Sequence, residues 1–309
     1  MSVNAQFMSD RPDNVSDGLS LILAKLGLKA EIFLQEDLCG QWAMDTSGNR
    51  GKVPFHLIER GTAWLHTSNS EPPRLLGSGD FIVFPHDAPH CISDGPERPP
   101  DELTNRIPEN SKGRITSLLC GFFEFRNRNA WPLLDSLPDA IVLDLKEGGR
   151  QHAAYPLVQL MISELEQNQP GMGAALNELA YLMFIQVLRL QVESGTSAGL
   201  LFALADKQIG RVLNLIHLKF RCDWTIAKLA KEVGMGRSVF SKKFVDMVGK
   251  TPMRYLAEWR MQEASDMLRT TDDSMAVIAE KVGYGSEMAF RKAFRKITGE
   301  TPGKVRRVG

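Results

Sequence analysis

The stretch VGMGRSVFSKKF, Val233 to Phe244, returns as VGYGSEMAFRKAF, Val282 to Phe294, and a chain that uses one pattern twice has few ways to fold there. In their surroundings, TIAKLAKEVGMGRSVFSKKFVDMVGKTP and SMAVIAEKVGYGSEMAFRKAFRKITGETP align throughout, apart from one extra residue in the second turn. Before the turn Ala227 matches Ala276, Leu229 matches Ile278, Ala230 matches Ala279 and Gly234 matches Gly283. Beyond it Phe240 matches Phe290, Phe244 matches Phe294, and Thr251-Pro252 matches Thr301-Pro302. Each copy reads as a short helix, a tight turn and a second helix. Gly234 and Gly283 stand where the first helix must end with positive φ, which glycine adopts without a Cβ clash. Phenylalanines four apart share one helix face, so each pair is an inward anchor. Ser286 is an N-cap for the later second helix, a place that Gly236 takes in the earlier unit.

With the phenylalanines inward, the outward face of the first unit shows Arg237, Ser238, Ser241, Lys242 and Lys243. That of the second shows Glu287, Met288, Arg291, Lys292 and Arg295. The formal net charge of the 309 residues is zero, but it is divided. Residues 205–309 hold 21 Lys and Arg against 12 Asp and Glu, whereas residues 1–204 hold 16 against 25. A basic end on an acidic body points the C-terminal part towards a polyanion. One basic helix alone is an ordinary solvated face; two with matching cores form a pair of helix-turn-helix units. Such units lay their second helix in a major groove of double-stranded promoter DNA. Between them MRYLAEWRMQEASDMLRT reads as a long amphipathic helix, suited to holding two readers at successive grooves roughly 34 Å apart. Ahead of both, DKQIGRVLNLIHLKF is amphipathic, with Asp206 as its N-cap.

These motifs resemble the DNA-binding domain of the AraC/XylS family of bacterial transcription regulators over about residues 206–309. The resemblance implies that base edges are read by Ser238, Ser241 and Lys242, then by Glu287, Met288, Arg291 and Lys292. Lys and Arg favour guanine, and Ser is permissive. Ser238 is small where family members often carry a larger side chain. RNA polymerase is a further implied partner if the chain activates.

The rest of the chain predicts an α+β multidomain protein: residues 1–16 a disordered tail, 17–145 a cupin-like β-barrel sensor, 146–200 a helical linker and dimerisation segment, and 201–309 the all-α domain with two helix-turn-helix motifs. AEIFLQ, GTAWLHT, DFIVFP and RITSLLCGFFEF read as strands broken by turn residues, and the Pro-rich residues 96–113 as a loop. HAAYPLVQLMISELEQN and GAALNELAYLMFIQVLRLQVES carry helical spacing. The broad apolar face of the second, through Leu176, Leu179, Met183, Phe184, Val187 and Leu190, either packs on the barrel and the preceding helix or joins a homodimer. No apolar run approaches the roughly 18 residues that span a bilayer, and four cysteines without paired spacing fit reduced thiols in a cytoplasmic protein.

PFHLIERGTAWLH and LLGSGDFIVFPHDAPH resemble the two halves of a cupin barrel. Gly79, Pro85 and His90 fit the second cupin motif, with Asp87 where Gly is usual. Counting back from Gly61 places the first motif's glutamate at Pro54, and its His-x-His positions, around 48–50, are Gly, Asn and Arg. The family's metal site is therefore incomplete. On period-2 logic Pro54, His56, Ile58 and Arg60 share one face, which the cupin registry turns inward with His90. His56, Ile58, Arg60 and His90 are thus candidate contacts for a small-molecule effector. With Cys120 on another strand, His56 and His90 form a candidate three-donor site for a zinc-like divalent ion. The alternative is a set of hydrogen-bonded core histidines in a metal-free barrel. The leading function is a sequence-specific transcriptional regulator; the second is a cupin metalloenzyme with an appended DNA-binding module, against which the missing ligands argue.

Overall fold

The structure, a computed structural model, describes residues 18–48, 51–67, 72–98, 100, 102, 104–105, 114–125, 131–143, 153–195 and 199–308. The expected tail and most of the expected 96–113 loop lie outside them. The described chain divides into two compact units, one of residues 26–195 and one of residues 199–308 together with residues 18–25. The order begins with α1 (Gly18–Leu26), β1 (Leu28–Cys39), β2 (Ala43–Met44), β3 (Lys52–Arg60), β4 (Thr62–His66), β5 (Arg74–Gly77), β6 (Phe81–Val83), β7 (Cys91–Ser93) and β8 (Ile115–Phe125). It continues with α2 (Trp131–Leu134), β9 (Ile141–Leu143), α3 (Tyr155–Gln167) and α4 (Met172–Glu193). The remainder is helical: α5 (Leu200–Ala205), α6 (Ile209–Leu218), α7 (Ile226–Glu232), α8 (Arg237–Val248), α9 (Pro252–Thr270), α10 (Met275–Lys281), α11 (Glu287–Thr298) and α12 (Pro302–Val308).

The strands form a five-stranded sheet in the order β1-β8-β3-β6-β9 and a four-stranded sheet in the order β2-β7-β4-β5. Their pairings are antiparallel. Apolar side chains from both sheets close on one core that includes Leu38, Trp42, Ile58, Leu65, Ile82, Phe84, Ile92 and Leu118. Gly121 admits this packing: a Cβ there would collide with the Phe55 ring, its register partner across β3 and β8. The β3–β8 register slips between Ile58 and Arg60. An extra residue in one strand resets the alternation of faces. Ile58 is consequently buried in the core, whereas Arg60 leaves the inward face and pairs with Asp37 at 3.2 Å. This corrects the expectation that the two line one pocket.

Helix α4 spends its apolar face on this unit. Leu176, Leu179, Met183, Phe184 and Val187 are buried, and the Phe184 ring lies 4.9 Å from Phe123 and 5.8 Å from Phe125 of β8. Between the two roles open for that face, packing takes it. Helix α1 goes to the other unit: Ile22 and Leu23 are buried, and Gly18 is pressed so close to Asn214 and Leu204 that a side chain there would collide with both.

Candidate nucleic-acid interface

The two repeat copies become α7–α8 and α10–α11. Helix α7 is capped by Thr225, whose hydroxyl accepts the Lys228 amide at 3.2 Å, and α10 by Ser274, which accepts that of Val277 at 3.3 Å. The turns pass through Gly234 (φ 65°) and Gly283 (φ 81°). At Gly283 a Cβ would stand 2.8 Å from the Arg221 carbonyl oxygen and 2.9 Å from the Arg260 guanidinium, so both conformation and space require glycine. Ser286 caps α11 by accepting the Ala289 amide at 3.3 Å, whereas α8 follows Gly236 without a side-chain cap. Phe240 and Phe244 are fully buried, edge to face at 5.8 Å, and Phe290 and Phe294 repeat the geometry at 5.6 Å. Phe244 also meets Tyr255 of α9 at 6.1 Å. The second pair packs with Met261, Ala264 and Leu268 of α9 and with Ile278, Ala279 and Val282. Helix α9 is thus built into both units.

The anchors decide what faces out. On α8 Arg237, Ser238 and Lys242 are exposed, and Ser241 is half-buried. Arg237, Ser238 and Ser241 line an open groove of about 850 Å³ with Trp224, Thr225 and Met253. Lys243 belongs elsewhere: its Nζ lies 2.9 and 3.0 Å from the two Asp206 carboxylate oxygens and 3.0 Å from Gln208 Oε1. It ties α8 to the corner between α5 and α6, which corrects its expected place on the DNA face. Asp206 is not the N-cap expected of it: that position is Gln208, which makes no side-chain cap bond, and Asp206 ends α5 and accepts the Gln208 and Ile209 amides at 2.9 and 2.8 Å. Burial alone would raise its carboxyl, but the bonds from Ile209 and Lys243 hold it below the usual range.

On α11 Met288, Arg291, Lys292 and Arg295 are exposed, Met288 at 80%. Glu287 is half-buried and accepts from Arg291 Nε at 2.7 Å. Exposed residues that the sequence reading did not single out include Val239, Val245 and Asp246 on α8 and Ala289 and Lys296 on α11. They follow from the phenylalanine register once the whole helix is turned. The two readers therefore differ in charge: α11 offers four exposed cations, one paired with Glu287, and α8 offers Arg237 and Lys242, the latter paired with Asp246 at 2.9 Å.

In the barrel the structure brings His56, His90 and Cys120 together, all fully buried, with Thr46 among them. His56 and Cys120 are register partners across β3 and β8. His56 Nδ1 lies 3.1 Å from Cys120 Sγ, and His56 Nε2 lies 3.1 Å from His90 Nε2 and 3.2 Å from Thr46 Oγ1. Thr46 Oγ1 is 3.0 Å from His90 Nε2, and His90 Nδ1 is 2.7 Å from the Ala88 carbonyl oxygen. One order of protons satisfies the set. A carbonyl only accepts, so His90 donates from Nδ1 and accepts at Nε2 from the Thr46 hydroxyl. His56 then carries its proton on Nε2, within reach of both His90 Nε2 and Thr46 Oγ1, and the Cys120 thiol donates to His56 Nδ1. The expected metal set fails on this geometry. Cys120 and His90 meet opposite nitrogens of one imidazole, so a single ion cannot be bound by all three. Among the described residues, no group of three His, Cys, Asp or Glu is placed to hold an ion. Phe84 stacks on the His90 ring at 3.6 Å and closes the cluster on one side.

Residues 17–193 match the family model described as Cupin, and residues 229–308 match that described as Helix-turn-helix domain. An AraC-like transcription regulator of Streptomyces lividans is 29% identical over 304 residues, covering 96% of this chain and 98% of that protein. The chain belongs to the AraC-type transcriptional regulators with an N-terminal cupin domain. The regulator MtrA of Neisseria gonorrhoeae is similar at 27% identity over 286 residues, 88% of this chain and 92% of that one. The transcriptional activator RclR of Escherichia coli is 26% identical over 265 residues, 84% and 86% of the two chains. Among solved structures, the C-terminal domain of AraT from Geobacillus stearothermophilus matches with a TM-score of 0.33 and 27% identity, over 34% of this chain and 87% of that one. This AraC-type regulator binds DNA through its helix-turn-helix domain. No described helix is long and apolar enough to cross a membrane.

The regulator's buried histidines predict an acid-sensitive fold. Burial, with His90 adding to it, holds His56 well below the usual value of 6.5. Burial also lowers His90, against the opposing bond to Ala88. His217, bonded through Nε2 to the Tyr255 hydroxyl at 2.8 Å, is pushed down by burial to about 3. Burial lowers His66 as well, against the opposing bond to Gly95, so all four are neutral in the folded chain near pH 7, and each takes a proton near 6.5 once unfolded. Below that pH the unfolded state binds more protons, so stability present above pH 6.5 is lost as pH falls, and for His217 the loss continues to about 3. The slope is about 1.4 kcal/mol per pH unit per histidine. Urea midpoints at pH 7.5 and 5.5 should fall accordingly, and His217→Gln should reduce the slope by one proton.

Proposed function

We propose that this AraC-type regulator sets α8 and α11 into successive major grooves of promoter DNA, and that the cupin barrel controls the engagement through a small-molecule effector. The observation that carries the reading is the shared register: each second helix buries two phenylalanines and turns polar and basic side chains outward. Helix α9, packed on both units, sets their spacing. Two copies act together, with the exposed Leu160 and Leu182 of α3 and α4 supplying apolar contacts for a homodimer. Bound to a promoter in the cytoplasm, the chain activates by contact with RNA polymerase, in line with the name of its E. coli relative. It is not an enzyme in this reading: a cupin metalloenzyme needs converging ligands and an open position, and here the donors of His56 face different partners.

A hydroxyl-radical footprint of the full chain, on promoter fragments recovered by its own binding, tests this. It should show two protected segments per copy, about 10 base pairs apart on one face of the duplex. A single segment per copy, or protection indifferent to sequence, would remove the two-reader assignment.

A further inference from the structure

The two readers carry different chemistry into the groove. Register for register, Ser241 of α8 stands where α11 has Arg291, Val245 where it has Arg295, and Asp246 where it has Lys296. Helix α8 is therefore close to neutral on its outward side, and two of its exposed residues are apolar: Val239 at 63% and Val245 at 38%. Val239 is the third residue of α8, in the first turn, the part of a recognition helix that reaches base edges.

The fold gives Val239 little to do. Phe240 and Phe244 make the inward contacts of α8. A β-branched residue is a poorer helix former than alanine, and the matching position of α11 is the exposed Ala289. A branched apolar side chain at an exposed first-turn position thus weakens the helix slightly without burying itself in the protein. The gain must come from a surface that covers it. Base edges in the major groove offer one apolar feature, the C5 methyl of thymine, and small apolar side chains are its usual partners. Neither Ser238 nor Ser241, the flanking residues, discriminates strongly among bases.

We infer that Val239 is a specificity-determining residue of this regulator, which packs against a thymine methyl in the half-site read by α8. Helix α11 supplies the larger charge-dependent share of affinity, and α8 adds a share that follows a methyl group. The inference rests on the proposed placement of both helices in the groove.

The probe is the tightest duplex selected by the full-length chain from a pool of random sequences. Each thymine is replaced in turn by deoxyuridine, which removes only the methyl. At one or two adjacent thymines of one half-site, affinity should drop about fourfold per methyl, the factor for burying one methylene-sized group. The same substitutions should leave Val239→Ser and Val239→Asn, which put a polar group in place of the apolar one, unaffected, while methyl effects in the other half-site persist in both variants. Unchanged thermal midpoints would confirm that these surface changes leave the fold intact. If no thymine methyl matters, or if every methyl effect survives in both variants, the assignment falls although DNA binding stands. If no duplex is enriched, the placement of the readers falls with it.

Discussion

Replacing Arg291, Lys292 and Arg295 together with alanine will weaken duplex binding roughly a hundredfold at physiological salt and flatten its salt dependence. Each phosphate neutralised releases counterions and contributes about 0.9 to the slope of log K against log salt. Three lost cations lower the slope by about 2.7, which near 0.15 M amounts to about two decades of affinity. The fold should not change, because all three side chains are exposed. The one ion pair broken, Arg291 with Glu287, is an i,i+4 surface pair, worth a few tenths of a kcal/mol. The comparison with α8 sharpens the result. Arg237→Ala with Lys242→Ala removes two cations, one of them paired with Asp246 as Arg291 is with Glu287, so the slope should change by about 1.8 against about 2.7 for the triple. Titrations over a series of salt concentrations read both variants. Equal slopes for the α11 triple and the parent would show that α11 does not meet phosphates.

What the residues announced in advance, and what they did not, divides along a physical line. Features set by neighbours in the chain were legible: the four phenylalanine anchors, the Ser286 cap, the bare Gly236 start and the glycine turns all follow from spacing of one to four residues. Features set by a partner far along the chain were not. Lys243 has the spacing of an outward residue, and nothing near it in sequence reveals that Asp206 holds it from the corner between α5 and α6. Arg60 has the alternation of an inward residue until a register slip after Ile58 resets the strand. For His56 the alternation was right about the face, and the pairing with Cys120 and His90 was foreseen as proximity. Which ring nitrogen meets which partner decides whether three donors can share an ion, and no pattern of letters contains that. Helix α1 shows the same limit: its buried Ile22 and Leu23 mark an apolar face, but only the fold shows that it lies with the last third of the chain.

Truncating an anchor should do the opposite of truncating a charge. Phe244→Ala and Phe294→Ala each leave a cavity in a closed helical core, and such losses cost about 3–5 kcal/mol. Against a total stability of about 5–15 kcal/mol, this leaves the DNA-binding unit marginal. Its thermal midpoint should drop by roughly 15 °C or more. Duplex binding should vanish at temperatures where the variant unit is unfolded, and return on cooling below its new midpoint. Phe244→Leu and Phe294→Leu fill most of the space and should keep most of the affinity, at a cost of about 1–2 kcal/mol. The two phenylalanine pairs have the same burial and nearly the same ring geometry, 5.8 and 5.6 Å edge to face, so their variants should lose similar stability. Their outward faces differ, so the charge variants should not behave alike. A Phe294→Leu protein that folds but binds as weakly as the α11 triple would place the anchor in the recognition itself. Parity between the Phe244 and Phe294 series, set against disparity between the α8 and α11 charge series, is what separates a duplicated scaffold from two distinct readers built on it.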